Sequence, residues 1–256
     1  MFRQIRDQQV HTLELGQGDP TVVGLSGVFG NVEIWQQPFE VLHRRFRTIT
    51  YDHFGTGETH VPADRITFDE QVALVADVLD AFEVGRCVLA GDSSLCSVAV
   101  AAAARWPDRV AGLVLVAGKI DHRPDDRTRQ FVEGLRASFD PTLKGFVEVC
   151  LPEDHIGHLR QWLFDIIART GSERAAVLVE SFYDVVFDHL LSTIEVPALV
   201  VHGDADRINP PDNAHQLATR LPDAELVLLD GAGHVPTLSR PVEVAAAIER
   251  FADRVT

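Results

Sequence analysis

The stretch Val88-Leu89-Ala90-Gly91-Asp92-Ser93-Ser94-Leu95-Cys96-Ser97-Val98-Ala99-Val100 decides the reading of this chain. An apolar run turns into Gly-Asp-Ser-Ser, and an Ala-rich segment of helical character follows at once. That order predicts a strand, a very sharp turn and a helix, with Ser93 at the apex. A residue at such an apex is forced into a strained backbone conformation. The strain lifts its hydroxyl above the sheet and aims the following amides at the same space.

Outward from that turn the first third of the chain alternates strands and helices. Strands are expected near Val10–Leu15, Thr21–Leu25, Phe46–Tyr51, Cys87–Gly91 and Val110–Val116. An amphipathic helix is expected over Glu33–Arg44, with Ile34, Phe39, Val41 and Leu42 on its buried side, and another over Thr67–Phe82. The alternation is that of βαβ units on a mostly parallel sheet whose central strands are apolar on both faces. It breaks after Asp121, where a helical segment rich in large apolar residues is divided by Pro141, Pro152 and Gly171. It resumes with a strand at Ala198–Val201, a helix at Pro211–Arg220, a strand at Glu225–Leu229 and a helix at Pro241–Phe251. The expected organisation is an α/β core over 1–121 and 194–256, with a helical cap over 122–193 inserted between two core strands. Such a cap would roof the carboxyl edge of the sheet, where ligands bind in folds of this kind.

Composition narrows the partners. The 256 residues carry a formal net charge of -15 with no basic cluster, which disfavours nucleic acid and anionic membranes. The three cysteines, Cys87, Cys96 and Cys150, are too few and odd in number for a disulfide framework. The amino terminus is charged from the start and no apolar run is long enough to span a bilayer, so a cytoplasmic setting is expected.

Ser93 is the candidate nucleophile, and a serine hydroxyl needs a neighbouring base to become one. His234, in Gly231-Ala232-Gly233-His234-Val235-Pro236, is the candidate base. Asp206, in His202-Gly203-Asp204-Ala205-Asp206, would orient that imidazole, with Asp204 and Asp121 as rivals. An oxyanion hole needs two backbone donors, expected from Ser94 and from Val28 in the glycine loop Ser26-Gly27-Val28. Two other readings stand beside this one. In one the turn simply caps a helix through Ser93 or Ser94; in the other Asp92 is the nucleophile, and otherwise it is a solvated carboxylate near a helix N-terminus. No Cys/His spacing suggests a metal site, and Gly55-Thr56-Gly57 lacks the third glycine of a dinucleotide loop, so no metal and no cofactor are expected.

Taken together, Ser26-Gly27-Val28, Tyr51-Asp52-His53-Phe54-Gly55-Thr56-Gly57, Gly91-Asp92-Ser93, Arg105-Trp106-Pro107-Asp108-Arg109-Val110, His202-Gly203-Asp204-Ala205-Asp206 and Gly231-Ala232-Gly233-His234 resemble the α/β-hydrolase superfamily, and within it the small, capped, cofactor-free members. Two positions depart from the pattern: Ser26 where His precedes the loop glycine, and Leu95 where glycine follows the nucleophile by two. The resemblance implies hydrolysis of a small, largely apolar ester, lactone or activated ketone. Phe29, Phe131, Phe146, Trp162 and Val235 are the expected substrate contacts, and a homodimer is left open. The same resemblance also admits a slow or non-hydrolytic ligand receptor, supported by Ser26 and Leu95, and a cofactor-free oxygenase or perhydrolase.

Overall fold

The computed structural model describes residues 1–183 and 185–255. Eight strands form one sheet: β1 (Phe2–Ile5), β2 (Gln8–Leu15), β3 (Thr21–Leu25), β4 (Thr48–Tyr51), β5 (Cys87–Asp92), β6 (Val110–Val116), β7 (Ala198–Gly203) and β8 (Ala224–Leu229). Their order across the sheet is β1-β2-β4-β3-β5-β6-β7-β8. β2 runs antiparallel to both neighbours, and every pairing from β4 to β8 is parallel. Each residue of β3, β5, β6 and β7 is buried, which is why these segments read as unbroken apolar runs rather than alternating ones.

The helices are α1 (Glu33–Leu42), α2 (Phe68–Ala81), α3 (Leu95–Arg105), α4 (Asp126–Ala137), α5 (Phe139–Cys150), α6 (Gly157–Ala168), α7 (Ser172–Glu180), α8 (Asp188–Leu191), α9 (Asp212–Arg220), α10 (Pro236–Ser239) and α11 (Pro241–Ala252). Helices α1 and α11 pack together over one face of the sheet, and α2, α3 and α9 cover the other. Thr67 starts α2 by accepting a hydrogen bond from the Glu70 amide at 3.2 Å, and Val72, Val75, Val78 and Leu79 form its buried stripe. Helices α4 to α8 lie in the chain between the adjacent strands β6 and β7. No described helix is long and apolar enough to cross a membrane.

Three local expectations need correction. Val41 is exposed, and α1 buries Trp35 in its place along with Ile34, Phe39 and Leu42. Pro141 does not separate two helices; it sits in the first turn of α5, where its missing amide hydrogen costs no helical bond. β1 was not anticipated. Only Ile5 of its four residues is buried, and its turn to β2 uses Arg6 at φ 53° instead of a glycine or asparagine signal.

Candidate active site

The four segments that carry the predicted chemistry all leave carboxyl ends of parallel strands, β3, β5, β7 and β8. β5 delivers Ser93, which has φ 53°, the left-handed backbone expected of the turn's apex. Gly91 allows the tight return: a Cβ there would meet the Leu95 carbonyl at 2.7 Å and the Cys96 Cα at 2.8 Å. The positive φ falls on Ser93 and not on Asp92, so the register that would present Asp92 as the nucleophile is not the one adopted. Ser94 sits at the N-cap of α3 without a side-chain cap, so helix capping does not account for the serine pair. Leu95 causes no strain in this arrangement. It points into the core and is 1% exposed.

Loops after β7 and β8 bring the other two groups together. Gly203 makes this possible, because a Cβ there would run into the carbonyls of Ala232 and Gly233. The Ala205 amide also donates to Ala232 O at 3.0 Å. Ser93 Oγ lies 2.9 Å from His234 Nε2, and His234 Nδ1 lies 2.8 Å from Asp206 Oδ2. An ionised carboxylate only accepts, so Nδ1 carries the proton and Nε2 is left to accept from the serine hydroxyl. The rivals are elsewhere: Asp204 accepts from the Gly231 amide at 2.7 Å, and Asp121 pairs with Arg123 at the surface.

Asp206 is fully committed as an acceptor. Its Oδ1 takes the Ile208 and Asn209 amides at 2.8 and 2.9 Å. His202 Nε2 shares its contact between Asn209 O at 2.7 Å and Asp206 Oδ2 at 3.2 Å. Burial alone would raise the Asp206 pKa; the His234 charge and these hydrogen bonds win and hold it well below the carboxylate range. For His234 burial pulls downward, and the Asp206 charge and hydrogen bond override it, so its pKa lies above the usual imidazole value. The His234 amide donates to Cys150 O at 2.7 Å and the Gly233 amide to Glu153 Oε1 at 2.9 Å, which ties this loop to the end of α5.

The loop after β3 is braced from three directions. Ser26 Oγ donates to Asn31 O at 2.6 Å, His53 Nε2 sits 3.2 Å from Gly27 O, and the Gly27 amide donates to Asp92 Oδ2 at 3.2 Å. The amides of Val28 and Ser94 donate to no group among the described residues, and both residues line a cavity that reaches Ser93. Burial keeps His53 neutral by pushing its pKa down to about 4. Asp92 is therefore not solvated: it is 3% exposed, and burial pushes its pKa up to about 7 despite the nearby His234 charge.

A carboxyl with a folded pKa near 7 and an ordinary unfolded pKa destabilises the fold increasingly as pH rises from about 4 to 7. Asp92→Asn is accordingly expected to raise the melting temperature more at pH 8 than at pH 5. The full cost removed is on the order of 4 kcal/mol. Melting curves at the two pH values check it; an equal shift at both would mean that Asp92 ionises in the folded protein as it does in the unfolded chain.

Two cavities meet at Ser93 and His234, with empty volumes of about 380 and 580 Å³. Phe29 and Phe146 line both, Val235 lines the first and Phe131 the second. Phe29, Phe131 and Phe146 form a ring cluster with centroids 5.1 to 6.1 Å apart, joining the loop after β3 to helices α4 and α5. Trp162 lines neither cavity. Its indole Nε1 donates to Glu33 Oε2 at 2.8 Å, fastening α6 to α1. The first cavity is walled by Ile34 of α1, Phe146 and Cys150 of α5, and Leu163 and Ile167 of α6, whereas the second also contains Lys119, His122 and Asn209, which were not assigned from the sequence.

A serine, a histidine and a carboxylate in line at the carboxyl edge of a doubly wound sheet are the arrangement of a hydrolytic enzyme. The chain belongs to the alpha/beta hydrolase fold family, whose family model matches residues 20–163. It is 30% identical over 254 residues to the pimeloyl-(acyl-carrier protein) methyl ester esterase of Nitrosomonas europaea, covering 94% of this chain and 98% of that one. Among solved structures it superposes on a thermophilic esterase from Thermogutta terrifontis with TM-score 0.88 at 24% identity, covering 100% and 98% of the two chains. It also superposes on the enol-lactonase from Burkholderia xenovorans with TM-score 0.90 at 21% identity, covering 98% and 99%. The protein is an alpha/beta hydrolase enzyme.

Proposed function

We propose that the protein is a serine hydrolase that cleaves small carboxylic esters through an acyl-enzyme. The observation that carries this reading is the unbroken line Ser93 Oγ–His234 Nε2 and His234 Nδ1–Asp206 Oδ2 at 2.9 and 2.8 Å, on a serine held at φ 53°. His234 takes the Ser93 proton as Oγ attacks the carbonyl carbon, and Asp206 stabilises the imidazolium that forms. The Val28 and Ser94 amides receive the oxyanion. His234 then gives its proton to the leaving alkoxide. Water, deprotonated by the same imidazole, attacks the acyl carbon and frees Ser93 and the acid. The esterase relative supports an ester over a carbon–carbon bond.

Leu95 is buried in the core and Ser26 braces the loop that carries Val28, which supports turnover over a non-hydrolytic receptor. A fluorophosphonate probe tests the proposal directly. Expected is one covalent adduct, mapped by peptide mass to Ser93, together with loss of ester hydrolysis in proportion to labelling. Hydrolysis that persists in fully exposed but unlabelled protein would refute the acyl-enzyme.

A further inference from the structure

We propose that the second cavity is an anion subsite, in which Lys119 and His122 hold a carboxylate carried on one arm of the ester. The inference rests on the Ser93 reading for where the ester sits, and on independent observations for the subsite itself. Lys119 follows β6, is half-buried, and lines the cavity that also contains Ser93, Ser94 and His234. The carboxylates whose charge reaches it are committed elsewhere. Asp121 accepts from Arg123 Nε at 2.9 Å, and Asp125 accepts from the Thr128 amide and hydroxyl at 2.8 and 2.7 Å. Lys119 itself has no ion pair or hydrogen bond among the described residues.

His122 is the second, separate observation. It is 5% exposed, its Nε2 is buried without a partner, and it lines the same cavity. Its ring is held against Phe182 and Phe187 with centroids 5.7 and 6.2 Å away. An unpaired ammonium withdrawn from water and a buried ring nitrogen left unsatisfied are both costly unless a ligand completes them. Burial lowers the pKa of both groups, and the Lys119 charge lowers that of His122 further, which leaves a neutral imidazole beside one cation. One positive charge with one neutral donor matches a monoanion better than a phosphate dianion. The other cavity offers Ile34, Leu163 and Ile167 to an apolar arm. The substrate class is thus an ester with a carboxylate on one side of the scissile bond and a hydrocarbon group on the other, rather than the largely apolar molecule expected from the sequence.

The test compares kcat/KM for two isomeric series against uncharged isosteres of equal length. One series is monoalkyl esters of linear dicarboxylic acids; the other is acyl esters of ω-hydroxy acids. The wild type is expected to prefer one acid series by about ten- to hundredfold, the range of a charge-assisted hydrogen bond. That ratio should fall at least tenfold in Lys119→Met, chiefly through KM, and return in part in Lys119→Arg. No acid preference in either series, or a preference that survives Lys119→Met, would overturn the subsite. Calorimetric binding of the free dicarboxylates to Ser93→Ala protein, lost when Lys119→Met is added, reads the subsite without turnover. Binding of that kind in a protein whose Ser93 proved unreactive would keep the subsite and discard the acyl-enzyme.

Discussion

Ser93→Ala is expected to lower kcat on a short-chain aryl ester by about four to six orders of magnitude. The size of the effect follows from how the site is built. Removal of Oγ leaves His234 without a proton to accept and the carbonyl without a nucleophile, although Val28 and Ser94 still line the cavity. Rate beyond that of water should therefore survive only through oxyanion stabilisation and binding. The backbone at this position stays strained, since alanine at φ 53° bears the same Cβ penalty as serine, so the fold is expected to be retained. Steady-state rates alongside a melting curve check both halves. Turnover within tenfold of wild type would show that Ser93 is not the nucleophile.

Asp206→Asn is expected to cost about four orders of magnitude in kcat while binding of substrate changes little. Asp206 Oδ1 accepts two backbone amides, from Ile208 and Asn209. An asparagine must place its oxygen there, because a nitrogen would face two donors. Its NH2 then faces His234 Nδ1 and donates to it, which moves the imidazole proton to Nε2. A ring protonated at Nε2 cannot accept from Ser93. The same change removes the charge that raises the His234 pKa. Catalysis needs the neutral imidazole, so the wild-type kcat/KM should fall off on the acid side at a pH above the ordinary histidine value of about 6.5, and the limb should move to lower pH in the variant. A pH–rate profile of both proteins decides it; an unmoved limb would separate Asp206 from the titrating group.

The parts of this molecule written in local pattern were legible from its sequence. Strands that are buried on both faces appear as apolar runs, and the ends of β3 and β6 coincide with the expected ones because a proline, a charge or a glycine stands within two residues of each. Ser93, Asp206 and His234 could be singled out because each follows an apolar stretch at a turn with its own glycine. What escaped depends on distance in space. Asp92 reads as a helix-terminal carboxylate until the loop from β3 closes over it and removes its water. Trp162 reads as a pocket aromatic until α6 is seen to turn its indole toward Glu33. Lys119 and His122 stand near the start of an inserted segment, and nothing in their spacing announces that both line the cavity that contains Ser93. β1 was hidden because three of its four side chains contribute nothing to the core.

The loop bearing the general base hangs from the far end of α5, through the Cys150 carbonyl and the Glu153 carboxylate. The position of His234 is consequently coupled to that of α5. Were α5 to lift and admit a guest, the imidazole would lose its mooring and with it the serine's proton acceptor. On the proposed mechanism, displacing α5 is therefore expected to slow ester hydrolysis even with Ser93, His234 and Asp206 all in place.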